Sequence, residues 1–255
     1  MIQVQSLRFA YADNAPLFEA FDIELARGGR LSVLGPSGCG KTTLLVLLAG
    51  LQQPSGGQIL IDGQPLTRPR PHTGLILQDY GLLPWFTVRQ NVALGLRVRD
   101  FYGPDGTHAP SQALPEADIQ HWLERLGIAA VADQYPARIS GGQRQRAAIA
   151  RTLVLGPDLL LMDEPFSSLD TVTREDLQTL TLELCAEQAL TLVVVTHAIE
   201  EAAILGRQIL LLGAPPNGAA RVIENPGAAE ADYRESAAYH QICAELREAV
   251  RDEAA

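Results

Sequence analysis

The run Gly35, Pro36, Ser37, Gly38, Cys39, Gly40, Lys41, Thr42, Thr43 sits between two apolar stretches, Leu31–Leu34 and Thr43–Leu51. The first reads as a buried strand and the second as a helix apolar nearly all round. A G-x-x-x-x-G-K-[ST] pattern in that setting is built to hold phosphate. Gly35, Gly38 and Gly40 let backbone N–H groups turn inward around phosphate oxygens, and the helix start adds partial positive charge. Lys41 is placed to reach the β- and γ-phosphates, and the Thr42 hydroxyl to ligate Mg2+. The loop implies a nucleoside triphosphate without saying what its hydrolysis does, since kinases, GTPases, helicases and transport motors share it.

Carboxylates narrow the choice. The strand signal beginning at Leu159 ends in Asp163 and Glu164, followed by Pro165. A carboxylate at a strand end beside a phosphate cradle can hold Mg2+, directly or through water. Its neighbour Glu164 can polarise an attacking water as a general base. Elsewhere, Ser140, Gly141 and Gly142 precede a second helix signal, where Ser140 can cap and the glycines keep the backbone open. One chain thus holds two helix starts suited to phosphate but only one lysine cradle. A head-to-tail dimer resolves the mismatch, each nucleotide meeting one chain's cradle and its partner's Ser-Gly-Gly.

These groups need a scaffold. Buried strands are expected at Leu31–Leu34, Gly74–Gln78, Leu159–Met162, Leu190–Thr196 and Gln208–Leu212, with helices at Thr43–Leu51, Arg144–Leu155 and Asp176–Gln188. The alternation indicates an α/β fold with a mostly parallel sheet. The N-terminal sixty residues carry period-two alternation and turn signals, which predict an antiparallel flank. Residues 1–86 and 158–215 read as one nucleotide-binding core, 87–157 as an inserted helical subdomain, and 216–255 as a tail ending in a helix near Asp232–Val250. The stretch Phe101–Asp118, rich in Pro, Gly and small polar residues, reads as a surface loop.

Bulk properties set limits. The chain has 255 residues, a net charge of −10 and 47% hydrophobic residues. The acidic balance argues against nucleic acid as a partner. No stretch reaches the roughly 18 consecutive apolar residues of a membrane span, and the N-terminus lacks a signal-peptide pattern, so a cytoplasmic protein is expected. Three widely spaced cysteines suggest neither a disulfide framework nor a zinc site.

Together these motifs resemble the ATP-binding cassette (ABC) ATPases. Gly35–Thr42 matches the Walker A motif, Leu159–Glu164 the Walker B motif, and Ile139–Gln143 the Ser-Gly-Gly-Gln signature, with Ile139 where leucine is usual. Ser167–Asp170 matches the D-loop, His197 the switch histidine and Gln78 the Q-loop glutamine. The resemblance covers about residues 2 to 215. It implies ATP and Mg2+ as ligands, with Lys41 and Thr42 on phosphate and metal, and Asp163 and Gln78 supporting the metal. It implies that Glu164 is the general base and that His197 contacts the γ-phosphate. It places Tyr11 against adenine, with a strand-edge tyrosine as the other reading. Ser140, Gly141, Gly142 and Gln143 would act on the partner's nucleotide, and Asp170 across the dimer interface.

LLPW at Leu82–Trp85, NVALGL at Asn91–Leu96 and RESAAY at Arg234–Tyr239 make the chain similar to ATPases of nitrate, sulfonate and taurine importers. That likeness implies a separate membrane permease, docked at Tyr80–Phe86, a peripheral place on the cytoplasmic face of the inner membrane, and indirectly a solute-binding protein. Internal packing is the other reading of Tyr80–Phe86. Related importers of pyrimidines or thiamine precursors, and soluble non-transport cassettes, remain alternatives. Cys39, within the cradle beside Lys41, reads either as a thiol of lowered pKa or as an inert one.

Overall fold

The structure, a computed structural model, describes residues 1–12, 15–102, 116–230 and 232–253. In chain order its strands are β1 (Ile2–Phe9), β2 (Phe18–Leu25), β3 (Arg30–Leu34), β4 (Gly56–Ile61), β5 (Gln64–Pro65), β6 (Thr73–Ile76), β7 (Leu159–Asp163), β8 (Thr191–Thr196), β9 (Gln208–Leu211) and β10 (Arg221–Glu224). The helices are α1 (Lys41–Leu48), α2 (Val88–Tyr102), α3 (Glu116–Arg125), α4 (Gly141–Leu153), α5 (Thr171–Glu187), α6 (Ile199–Leu205) and α7 (Ala237–Glu253).

Every residue of β7 and β8 is buried, as their unbroken apolar runs require of central parallel strands. Their side chains alternate between two cores. Leu160, Met162, Leu192 and Val194 face the helical side, while Leu159, Leu161, Val193 and Val195 face α1 and the antiparallel sheet. The six-stranded sheet runs β10-β9-β3-β8-β7-β6, parallel except for β10. The second sheet, β2-β1-β4-β5, is antiparallel throughout. Helix α1 packs between the sheets with Leu44, Leu45, Leu47 and Leu48 all in that core. Each such leucine contributes roughly 1.5–3 kcal/mol by leaving water, so the glycine-rich loop before α1 is carried by a firmly anchored helix.

The mostly parallel sheet, the antiparallel flank and the helical insertion agree with the sequence. Several bounds do not. The strand expected at Gly74–Gln78 ends at Ile76, because Leu77 turns out to solvent and its carbonyl accepts the Tyr80 N–H in a tight turn. The core continues past residue 215: β10 adds an antiparallel edge strand that the polar composition of 216–224 conceals. The expected helix at Asp176–Gln188 starts at Thr171, because Asp170 caps it and accepts the Thr173 N–H at 3.1 Å. The tail helix starts at Ala237 rather than near Asp232. Helices α2 and α3 occupy the ends of the expected Phe101–Asp118 loop, and the rest of it, 103–115, lies outside the described residues.

Candidate nucleotide-binding site

The loop between β3 and α1 begins where Leu34 donates the last ladder position and the chain needs space to turn. A Cβ at Gly35 would lie 2.4 Å from the Leu212 carbonyl oxygen, so no other residue fits there. Pro36, Ser37 and Gly38 are exposed, and Gly38 and Gly40 have φ of 83° and 107°. Gly40 occupies the N-cap of α1 and supplies no side chain to bond the first helical N–H groups. The Lys41 Nζ donates to the Gly35 and Pro36 carbonyls, both at 2.8 Å, and so lies folded into the loop. Thr42 donates its hydroxyl to Asp163 Oδ2 at 3.0 Å, joining the loop to the end of β7. Thr43 is buried, and its hydroxyl lies 3.2 Å from that of Tyr11. Tyr11 stands edge-on to Phe9 and remains 45% exposed beside the start of α1.

The reading of Cys39 as an activated thiol is overturned. Its side chain is buried, and that burial pushes the thiol up, outweighing the pull of Lys41 and of the backbone N–H groups. Its Sγ instead fills space under Gly35.

A second group forms across the sheet end. Glu164 Oε1 is 3.1 Å from His197 Nδ1, and Gln78 Nε2 donates to Glu164 Oε2 at 3.4 Å. Glu164 takes a left-handed backbone (φ 44°), which costs a residue with a side chain on the order of 1–3 kcal/mol. Its N–H donates to the Val195 carbonyl at 2.8 Å, so β8 holds the strained residue in place. Next to it, burial raises the Asp163 carboxyl above the usual range, with the Thr42 hydroxyl partly offsetting that effect. Thr42–Asp163 and Gln78–Glu164–His197 are thus neighbouring constellations meeting at two consecutive carboxylates.

The Ser140 region is organised differently. Ser140 Oγ accepts the Gln143 N–H at 3.2 Å while Gln143 Oε1 accepts the Ser140 N–H at 2.9 Å, a complete capping box on α4. A Cβ on Gly142 would come 2.6 Å from Thr173 Cγ2, so that glycine also serves packing on α5. Asp170 is exposed, and the Thr173 N–H holds its carboxyl below the usual range.

The expected docking segment, Tyr80–Phe86, divides. Tyr80 is buried in the helical core, and Trp85 is 66% exposed. Sequence reasoning missed what shapes this segment. Asn91, fully buried, accepts the Leu83 N–H at 2.8 Å and donates to the carbonyls of Leu83, Phe86 and Thr87 at 3.0–3.1 Å. The signal was present: an Asn set within the apolar stripe Val88, Val92, Leu96 needs internal partners. Glu201 was missed as well. It is 4% exposed in the first turn of α6, and burial pushes its carboxyl up to about 7, against the hydroxyl of Thr196 and the charge of Arg174.

Known proteins carry the same organisation. The ABC transporter family matches residues 18–167. The aliphatic sulfonates import ATP-binding protein SsuB of Bacillus cereus is 39% identical over 209 residues, 82% of this chain and 78% of that protein. The taurine import ATP-binding protein TauB of Pseudomonas aeruginosa is 42% identical over 200 residues, 78% of this chain and 72% of that one. A solved dimeric ATP-binding cassette, in a post-hydrolysis state with ADP and phosphate bound, superposes with a TM-score of 0.73 at 28% identity, covering 88% of this chain and 98% of its own. With its phosphate loop, paired carboxylates and capped Ser-Gly-Gly helix in place, the chain belongs to the ABC transporter family.

Proposed function

We propose that the chain is the ATP-hydrolysing subunit of an importer for a small solute of the nitrate, sulfonate or taurine type. Two copies would close head to tail on ATP and act on a separate permease. The observation that carries the catalytic part is the Gln78–Glu164–His197 group beside the Lys41–Thr42–Asp163 cradle.

In this reading the open N–H groups at the start of α1 bind phosphate oxygens, and Lys41 leaves the Gly35 and Pro36 carbonyls for the β- and γ-phosphates. The Thr42 hydroxyl and the Asp163 carboxylate are hard oxygen donors 3.0 Å apart, which suits Mg2+. Among the described residues no group of three or more His, Cys, Asp or Glu is placed to hold a metal, so Thr42 and Asp163 would hold the ion together with the nucleotide. When bound, the ion neutralises charge on the β- and γ-oxygens. Glu164 takes the proton of the attacking water. Gln78 and His197 orient that carboxylate and the water beside the γ-phosphate. The exposed ring of Tyr11 stacks on the adenine.

Ser140–Gln143 and Asp170 would meet the nucleotide and interface of the second copy. Loss of the γ-phosphate then removes contacts shared by both chains and opens the dimer. No helix among the described residues is long and apolar enough to cross a membrane, so the permease is a partner at this reading, with Trp85 the exposed anchor facing it. A solute-binding protein would supply the solute from the far side, and the chain itself would sit on the cytoplasmic face.

Glu164→Gln tests this reading. It keeps the shape of the side chain and removes its basicity, so hydrolysis should fall by a factor of about 100 or more. ATP binding should persist, and a dimer stable in ATP should appear on sizing columns. Unchanged turnover would remove Glu164 from the role of base.

A further inference from the structure

Gln78 and Asp170 lie in two different segments, one facing the expected permease and one facing the expected second copy. A hydrogen bond joins the two segments through Tyr80, which neither motif contains. Tyr80 follows the turn that begins at Leu77, has a left-handed backbone (φ 65°) and is buried in the helical core. Its hydroxyl lies 2.7 Å from the Ser168 hydroxyl, two residues before Asp170. From α4, the Arg151 guanidinium donates to the Tyr80 carbonyl at 2.8 Å and the Gly81 carbonyl at 2.5 Å. Burial lowers the pKa of that guanidinium, with Asp79 opposing the shift. On the other side Arg174 donates to the carbonyls of Phe166 (3.3 Å) and Leu169 (2.7 Å), fixing the backbone around Ser168.

A left-handed tyrosine is unusual and persists only where its surroundings hold it. Here they hold it at three points: the ring in the core, the carbonyl on Arg151, and the hydroxyl on Ser168. Each point belongs to a different element, namely the helical core, the helix that begins at Ser140, and the segment ending in Asp170.

We propose that Tyr80 is a positioning residue for hydrolysis: its hydroxyl ties Ser168 to the segment after Gln78, so the permease-facing and dimer-facing segments move as one body. This rests on the reading of the nucleotide site given above. A displacement of the 80–86 segment then moves Ser168 and with it Asp170, while Arg151 carries the same displacement to α4. Gln78, two residues upstream, keeps its reach to Glu164 only while Tyr80 holds its turn.

Two variants remove one atom each and spare the packing: Tyr80→Phe keeps the ring, and Ser168→Ala keeps the small side chain. In the full-length chain each should lower kcat by roughly two- to thirty-fold, with the KM for ATP unchanged, and the double variant should lose no more than either single one. Hydrogen exchange supplies a readout independent of turnover. Tyr80→Phe should speed amide exchange at 166–170, and Ser168→Ala should speed it at 78–83. Exchange changes confined to each variant's own segment, unchanged kcat in both, or losses that multiply in the double variant would overturn the proposal. Absence of turnover in the unmodified chain would count against the ATPase reading alone, while the reciprocal exchange would still decide the link.

Discussion

Helices α1 and α4 both start at glycine-rich turns, and their sequences look like two copies of one device. Their structures are not. Helix α1 starts at Gly40 with no side chain on its first N–H groups and is buried on nearly every side. Helix α4 starts at Ser140, which closes a reciprocal capping box with Gln143. The first start spends no side chain on its own N–H groups and keeps a lysine folded beside them. The second satisfies its N3 donor internally. An uncapped helix start leaves its first N–H groups open to a ligand, as the proposed reading requires. A capped one is stable without a ligand and suits a surface that meets its target only after another molecule arrives.

Lys41→Ala should break the comparison most severely. It removes the one cation the α1 start can bring to the phosphates, and a charge-assisted contact of this kind supports both binding and hydrolysis. Turnover should fall by on the order of 100-fold or more, and equilibrium ATP binding should weaken with it. Folding should change little, because among the described residues the Nζ bonds to the Gly35 and Pro36 carbonyls of the loop. A Lys41→Ala chain that binds ATP like the parent would show that the backbone cradle does the work alone.

Ser140→Ala acts at the other start and should be milder. Loss of the cap costs about 1 kcal/mol of stability, readable as a lower midpoint in denaturant. Beyond that, the comparison sharpens. If Ser140 also meets the partner's nucleotide, turnover at saturating ATP should drop while monomer binding of ATP stays constant. A variant that loses stability but keeps full turnover would reduce this start to a helix cap.

What the sequence made legible follows the same contrast. The cradle could be read from residue types because its chemistry is local: glycines, a lysine and a hydroxyl within nine positions, between two apolar runs. Asp163 and Glu164 could be read because a strand ends at them. The capping box was half legible, since Ser140 was a plain cap candidate. The return bond from Gln143 requires the chain to be helical already. Tyr80, Arg151, Arg174 and Glu201 were not legible as a set. Tyr80–Ser168 and Arg151–Gly81 pair across about 70–90 residues, and Arg174 and Glu201 take partners that only the folded turns beside them bring close, so no local pattern announces them. Strand β10 was hidden because an edge strand buries only part of its surface, so its run Arg221–Glu224 lacks the apolar signature of the central strands.

The smallest expected effect concerns Cys39. Its position beside Lys41 at a helix start would ordinarily lower a thiol pKa, and burial has reversed that. Folded protein at pH 8 should therefore react with iodoacetamide far more slowly than a free cysteine, and the rate should climb only as pH passes the ordinary thiol range. The sign follows from the native state favouring the neutral thiol: raising pH charges a buried group and costs stability instead of adding to it. Mass spectrometry of the peptide containing Cys39 reads the rate directly. Rapid labelling at neutral pH would mean that the start of α1 opens to solvent on its own. The cradle would then be no better anchored than the capped start of α4, and the distinction between the two helices would fail at its strongest point.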